Sequence, residues 1–289
     1  MIEKGIHVEN LPSVKEPFLI AGFEGWGNAM DVSKGMASYL VRKLRAEPFA
    51  TLDADLFYRY DENRPVVLIE EGELKRVTPP GGTFYAAHCS PRDVDIIVLE
   101  AQEPNLRWEY FGEQLLSLSR ELKVRTIITV GSMFDNVLHS DNIISGIASN
   151  ETLSTRLREL EVLPINYHGP SAIHSMIQHT AKELAVPCMS LWCHCPYYLQ
   201  GATHFGLLSS LGSLLSSLAG FDLDREELDA SWKELNRQIQ SLVENNPELQ
   251  GMITELRKAK VRGSWETMKE DDSKGSKIIQ LKDFLKPKS

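Results

Sequence analysis

FLIAGFEGWGNAMD (residues 18–31) decides the fold: the apolar run Phe18–Ala21 stops at Gly22, and three glycines frame Trp26 before a helical pattern starts. The pattern predicts a first β-strand, a tight turn and a crossover helix, the opening of an α/β unit. In open α/β sheets, ligand and partner sites collect at this carboxyl end of the strand. Gly22 and Gly27 mimic the spacing of a phosphate-binding loop, but Asn28 and Ala29 stand where Lys and Ser/Thr are needed. The dinucleotide fingerprint is also absent, because the order is G-x-x-G-x-G. Bare amides at a helix start could still receive a phosphate. The simpler expectation is a sharp turn, with Gly25 at positive φ and Trp26 packed on a neighbouring element or subunit.

The same rhythm continues outward. Met30, Val32, Met36, Leu40, Val41 and Leu44 form a helical stripe, while Val66–Ile69 and Ile96–Leu99 read as strands covered on both faces. Trp108, Phe111, Leu115, Leu118 and Leu122 trace a helix leading into the β-branched strand Thr126–Val130. Asn150 and Ser171 are expected helix caps, Leu163–Asn166 and Cys188–Cys193 expected strands, and His204–Ala219 an apolar helix. The expected fold is α/β: a twisted, mostly parallel sheet with helices on both faces. A helical hairpin, about Arg225–Glu244 and Pro247–Lys260, follows, with Asp224 as its expected N-cap. The division is therefore an α/β domain over 1–221, a helical hairpin over 222–262, and a basic, largely flexible tail over 263–289.

Composition narrows the function classes. The chain has 289 residues, 42% of them hydrophobic, enough for a large core. No stretch approaches the roughly 18–20 apolar residues of a membrane span. The N-terminus has no secretory apolar segment, and four cysteines give no disulfide framework, so a cytoplasmic location is expected. A net charge of −9 argues against nucleic acid as partner. The charge is uneven: residues 257–289 carry ten Lys/Arg and five Asp/Glu, leaving −14 on residues 1–256.

Each chemical constellation has a plain counter-reading. Cys193-His194-Cys195 on a strand points its cysteines to one face and its histidine to the other, so three ligands do not converge on a metal. Cys195 with His168 or His204 is a possible nucleophile pair without a local signature. Glu100 and Glu103 follow the strand ending at Leu99, where two carboxylates suit acid–base work; capping the next helix or pairing with Arg107 is the plainer role. Neither G-x-S-x-G nor H-E-x-x-H occurs. No metal and no cofactor are expected.

Several segments in order carry a resemblance. Gly22–Ala29 (GFEGWGNA), Glu103-Pro104 with Trp108 and Phe111, Gly131-Ser132, Tyr167-His168-Gly169-Pro170, and Leu191-Trp192 before Cys195-Pro196-Tyr197-Tyr198 resemble the proteasome assembly chaperone family. The resemblance covers roughly residues 15–220. It implies a phosphorylase/hydrolase-like α/β fold, a cytosolic homo-oligomer and a protein partner. Some archaeal relatives dock proteasome rings through a C-terminal hydrophobic-Tyr-X tail, whereas this sequence ends Phe284-Leu285-Lys286-Pro287-Lys288-Ser289. Asn28 replaces the family's usual Asp. The expected function is a non-enzymatic, homo-oligomeric scaffold or assembly-chaperone-like protein. The second reading is a small-molecule enzyme of phosphorylase, hydrolase or ligase type, or a small-ligand-binding regulator, using the cleft at the first strand–helix turn. Candidate cleft or interface residues are Gly22, Glu24, Gly25, Trp26, Asn28, Glu100, Glu103, Trp108, His168, Cys195 and Tyr197. A cleft filled by Trp26 favours the scaffold; an open one lined by Glu24, Glu100 and His168 favours the enzyme.

Overall fold

The opening strand, β2 (Phe18–Glu24), lies at the centre of a nine-stranded sheet and is hydrogen-bonded on both sides. The computed structural model describes residues 5–261, so the tail expected over 263–289 lies outside the described residues. Parallel partners flank β2: β7 (Val94–Gln102) on one side and β8 (Thr126–Asp135) on the other. β8 pairs in parallel with β11 (Cys188–Pro196). These four strands are buried over most of their length, which is why they read as continuous apolar runs. Antiparallel pairing takes over on each flank. Beyond β7 stand β6 (Gly82–Cys89), β3 (Glu47–Leu52) and β1 (Ile6–Val8). Beyond β11 stand β9 (Ile144–Ala148), antiparallel to it, and the two-residue β10 (Leu163–Pro164). The strand expected over Leu163–Asn166 is thus only a short edge.

Period-two alternation sorts the core into two layers. Phe18 and Ile20 face α1 (Val32–Leu44) and α6 (Phe205–Ala219). Leu19, Ala21 and Phe23 face α3 (Trp108–Glu121), α5 (Ile173–Glu183) and the one-turn α2 (Ala54–Phe57). Between β9 and β10, α4 (Glu151–Glu159) starts at Asn150, whose side chain accepts from Leu153 N at 2.9 Å. The last helices, α7 (Glu226–Asn245) and α8 (Pro247–Val261), add Leu228, Leu235, Ile239, Leu249 and Ile253 to the α1/α6 layer. Polar ties reinforce that packing: the Tyr39 hydroxyl donates to Asp224 O at 2.8 Å, and Arg42 and Lys43 pair with Glu227 and Asp224. Asp224 accepts from Glu226 N, but the N-cap position itself belongs to Arg225. Trp232 of α7 stacks on His204 with centroids 4.8 Å apart. Its ring lies so close to Gly206 that an added Cβ there would come within 2.8 Å.

One expectation fails instructively. Val66–Ile69 is not covered on both faces. It belongs to β4 (Val66–Glu70), which pairs only with β5 (Glu73–Thr78) in a separate two-stranded hairpin whose residues are all exposed. Glu71 and Gly72 join the strands at φ 52° and 80°, the two positive values that a two-residue hairpin turn of matching twist requires. A register shift then leaves Lys75 unpaired, so Val67 sits opposite Val77 and Ile69 opposite Leu74. Directly opposed residues share a face, so one side of the hairpin is aliphatic: Val67, Ile69, Leu74 and Val77. These four side chains are 51–60% exposed.

Candidate functional site

At the end of β2 the backbone packs too tightly for side chains. A Cβ on Gly22 would lie 2.4 Å from Ser33 O, so α1 rests directly on the strand. Ser33 Oγ accepts from Phe23 N at 2.8 Å and donates to Val130 O, tying α1 to both β2 and β8. Asn28 Oδ1 accepts from Ser33 N and Lys34 N at 2.9 and 3.2 Å, while its amide donates to Asp31. Asn28 therefore occupies the helix-start amides that a phosphate would use, and the phosphate option lapses. Left-handed backbone occurs at Met30 (φ 53°) and Asp31 (φ 56°) rather than at Gly25, which has no positive φ.

What Gly25 provides is room for Glu103. An added Cβ would fall 2.6 Å from both Glu103 Cβ and Oε2. The Glu103 carboxylate accepts from Trp26 N at 2.9 Å and from Ile173 N at 2.8 Å, and Glu103 N donates to Glu24 O at 2.7 Å. One side chain thus clamps the glycine turn to the start of α5. This corrects the expected cap, because Ser171 directs its hydroxyl to Ala172 O instead. It also corrects the reading of Glu103 as a simple helix-start carboxylate. We expect Gly25→Val and Glu103→Ala each to cost about 1–3 kcal/mol, through overpacking and through two orphaned amides respectively. Because both break one clamp, urea unfolding of the double variant should show a loss well below the sum.

Around the clamp lies an open cleft of about 470 Å³ lined by Glu24, Trp26, Arg59, Glu103, Asn105 and Trp108. Trp26, 61% exposed, forms a wall of it and does not fill it. A second cleft of about 520 Å³ includes Glu24, Lys34, Arg64 and Glu100. There Lys34 pairs with Glu24 at 2.6 Å, and this hydrogen bond holds the ammonium above its ordinary pKa. Ser38 donates to Glu100 at 2.7 Å. The remaining candidates line neither cleft. His168 is exposed, and Tyr197 stacks on Phe134 at 5.4 Å. Cys195 is buried with its thiol 3.5 Å from Ala29 O, and burial pushes its pKa up to about 12. A thiol so held is not a thiolate nucleophile, so the pairing with His168 or His204 is withdrawn.

Sequence reasoning missed a polar line across β8, β11 and β9. His194 leaves the face of Cys193 and Cys195 as expected, and there meets two partners. Its Nδ1 is 2.7 Å from Asp135 Oδ2, and its Nε2 is 2.7 Å from Ser145 Oγ. Ser145 stands opposite Trp192, whose ring reaches back to the glycine turn: a Cβ on Gly27 would lie 3.2 Å from it. The single available signal was His194 alternating away from two buried cysteines. Nothing local marked Ser145 or Asp135.

The PAC2 family model matches residues 19–243. The chain belongs to the PAC2 family. No curated protein matches it. Among solved structures, a PAC2 family protein from Streptomyces avermitilis is 26% identical, with 82% of this chain and 99% of that one covered at a TM-score of 0.74. A proteasome-assembly chaperone homologue from Mycobacterium tuberculosis is 23% identical, over 82% and 99%, at 0.75. PbaB of Pyrococcus furiosus, an archaeal proteasome activator, is 20% identical, over 82% and 97%, at 0.63. The PAC2 match includes the glycine turn, the Glu103 clamp, the hairpin and the Asp135–His194–Ser145 line. Among the described residues, no helix is long and apolar enough to cross a membrane.

Proposed function

We propose that this PAC2-family chain is a chaperone-like scaffold that binds protein chains, in the first instance further copies of itself, in the cytoplasm. The observation that carries the reading is the hairpin β4–β5. An isolated two-stranded hairpin is marginally stable in water, and this one presents four half-exposed aliphatic residues on one side. A second copy offers the same face, which is the self-complementarity that a two-fold interface uses. Covering each of the four side chains is worth roughly 1 kcal/mol. Chaperone and activator relatives support a role exercised on protein partners. The four described cysteines are free and buried, which suits a reducing compartment.

Light scattering coupled to size exclusion tests this. The unaltered protein is expected to run at a multiple of the mass of one chain. Val67→Glu with Ile69→Glu should reduce it to a single chain with an unchanged circular-dichroism spectrum, since exposed substitutions cost the fold little. An unchanged multiple in the double variant, or a single chain from the start, removes the hairpin from self-assembly.

A further inference from the structure

Three adjacent strands bring Asp135, His194 and Ser145 into one line: Asp135 ends β8, His194 lies near the end of β11, and Ser145 is the second residue of β9. The proton positions follow from the chemistry of the groups. An ionised carboxylate only accepts, so His194 Nδ1 carries the hydrogen and donates to Asp135 Oδ2. Nε2 is then the lone-pair nitrogen, and the Ser145 hydroxyl donates into it. Asp135 is itself oriented, because its other oxygen accepts from Asn136 N at 2.7 Å. Ser132, another buried strand serine, donates to a carbonyl, Ala29 O. Ser145 instead engages an imidazole whose far nitrogen is tethered to a carboxylate. Such lines are identified by geometry and not by sequence motif, and they recur on unrelated folds.

We propose that Ser145 is a nucleophile for acyl transfer, with His194 as its general base and Asp135 as the positioning residue, acting on small uncharged esters. The surroundings set the substrate class. Ser145 is buried while His194 is only partly so, which restricts any acyl group that reaches the hydroxyl to a small one. Its cross-strand neighbour is the apolar Trp192. In the first half-reaction Oγ bonds to the carbonyl carbon as its proton passes to His194 Nε2; the bond to the leaving alcohol breaks, and the alcohol takes that proton. Water completes the cycle. His194 takes a proton from it, its oxygen bonds to the acyl carbon, and the carboxylic acid departs as Oγ regains a proton. Nothing is oxidised or reduced. This activity is separate from the scaffold role, since the hairpin and the line occupy different parts of the fold.

The test is to incubate the full-length protein with an alkyl fluorophosphonate and measure its intact mass. One phosphonyl group per chain, with fluoride lost, is expected and should map to Ser145 by peptide mass spectrometry. His194→Ala should slow labelling at least 100-fold, the lower end of the range for a lost general base. Asp135→Asn should slow it while leaving urea stability nearly unchanged, a split that a packing role does not produce. No adduct on the unaltered protein, an adduct elsewhere than Ser145, or equal labelling of the His194→Ala chain overturns the proposal. Because the mapping uses the unaltered chain, the outcome does not hinge on any variant folding, and it is independent of the oligomer measured above.

Discussion

A chain ending after Ala219 is expected to aggregate. The cut removes α7 and α8, and with them Leu228, Leu235, Ile239, Leu249 and Ile253, all buried in the α1/α6 layer. At about 2 kcal/mol for each buried side chain, some 10 kcal/mol of burial is lost. That equals the whole stability of a typical domain, about 5–15 kcal/mol. The face of α6 at Gly206 and Ser209, which Trp232 and Asp229 of α7 now cover, would then meet water directly. Light scattering on the shortened chain decides the matter. A soluble, monodisperse product with a cooperative melt would show that the last two helices are an independent module on a self-sufficient core.

Mild acid should loosen the same seam. His204 Nδ1 accepts from Leu207 N, and its ring is enclosed beneath Trp232. Burial, chiefly, drives its pKa down from 6.5 to about 4. His139, hydrogen-bonded to Tyr198, and His174, under β8, are also depressed by burial. Arg257 pushes His139 further down and Asp141 opposes it. The sign follows: below pH 6.5 the unfolded chain takes up protons that the folded histidines refuse. Stability is therefore complete above about pH 6.5 and falls as the pH drops towards 4. For His204 the gap, at about 1.4 kcal/mol per pH unit, amounts to about 3 kcal/mol. Down to pH 5 about 1.5 of those units are crossed, so urea titrations at pH 7.5 and 5 should differ by about 2 kcal/mol through His204. His204→Asn keeps a capping acceptor but loses the titration, so its difference should shrink. An unchanged slope in that variant would place the acid sensitivity elsewhere.

The central architecture was legible because it is local. Phe18–Ala21, Ile96–Leu99 and Thr126–Val130 are strands enclosed by their own fold, and the stripe from Val32 to Leu44 is a helix with one buried side. Val66–Ile69 has the same composition and the opposite fate, because hydrophobicity records that a segment wants cover and not who provides it. The clamp was hidden for another reason. Ser171 has the right type and position for a cap, yet Glu103, 70 residues away, reaches the amide first. Asp135, Ser145 and His194 converge only through the order β8-β11-β9, which no spacing along the chain announces.

The clamp also dates the site in folding time. Trp26, Glu103 and Ile173 are separated by 77 and 70 residues, and their hydrogen bonds form only when three distant stretches of chain have already met. Contacts across such separations carry a high loop-closure cost and come after local structure. The cleft floor is thus assembled late, and substitutions in the clamp should speed unfolding while leaving the refolding rate almost untouched. The central strands pair across separations just as long, Phe18 with Ile96 and with Thr126, so this corner closes no earlier than the sheet that carries it.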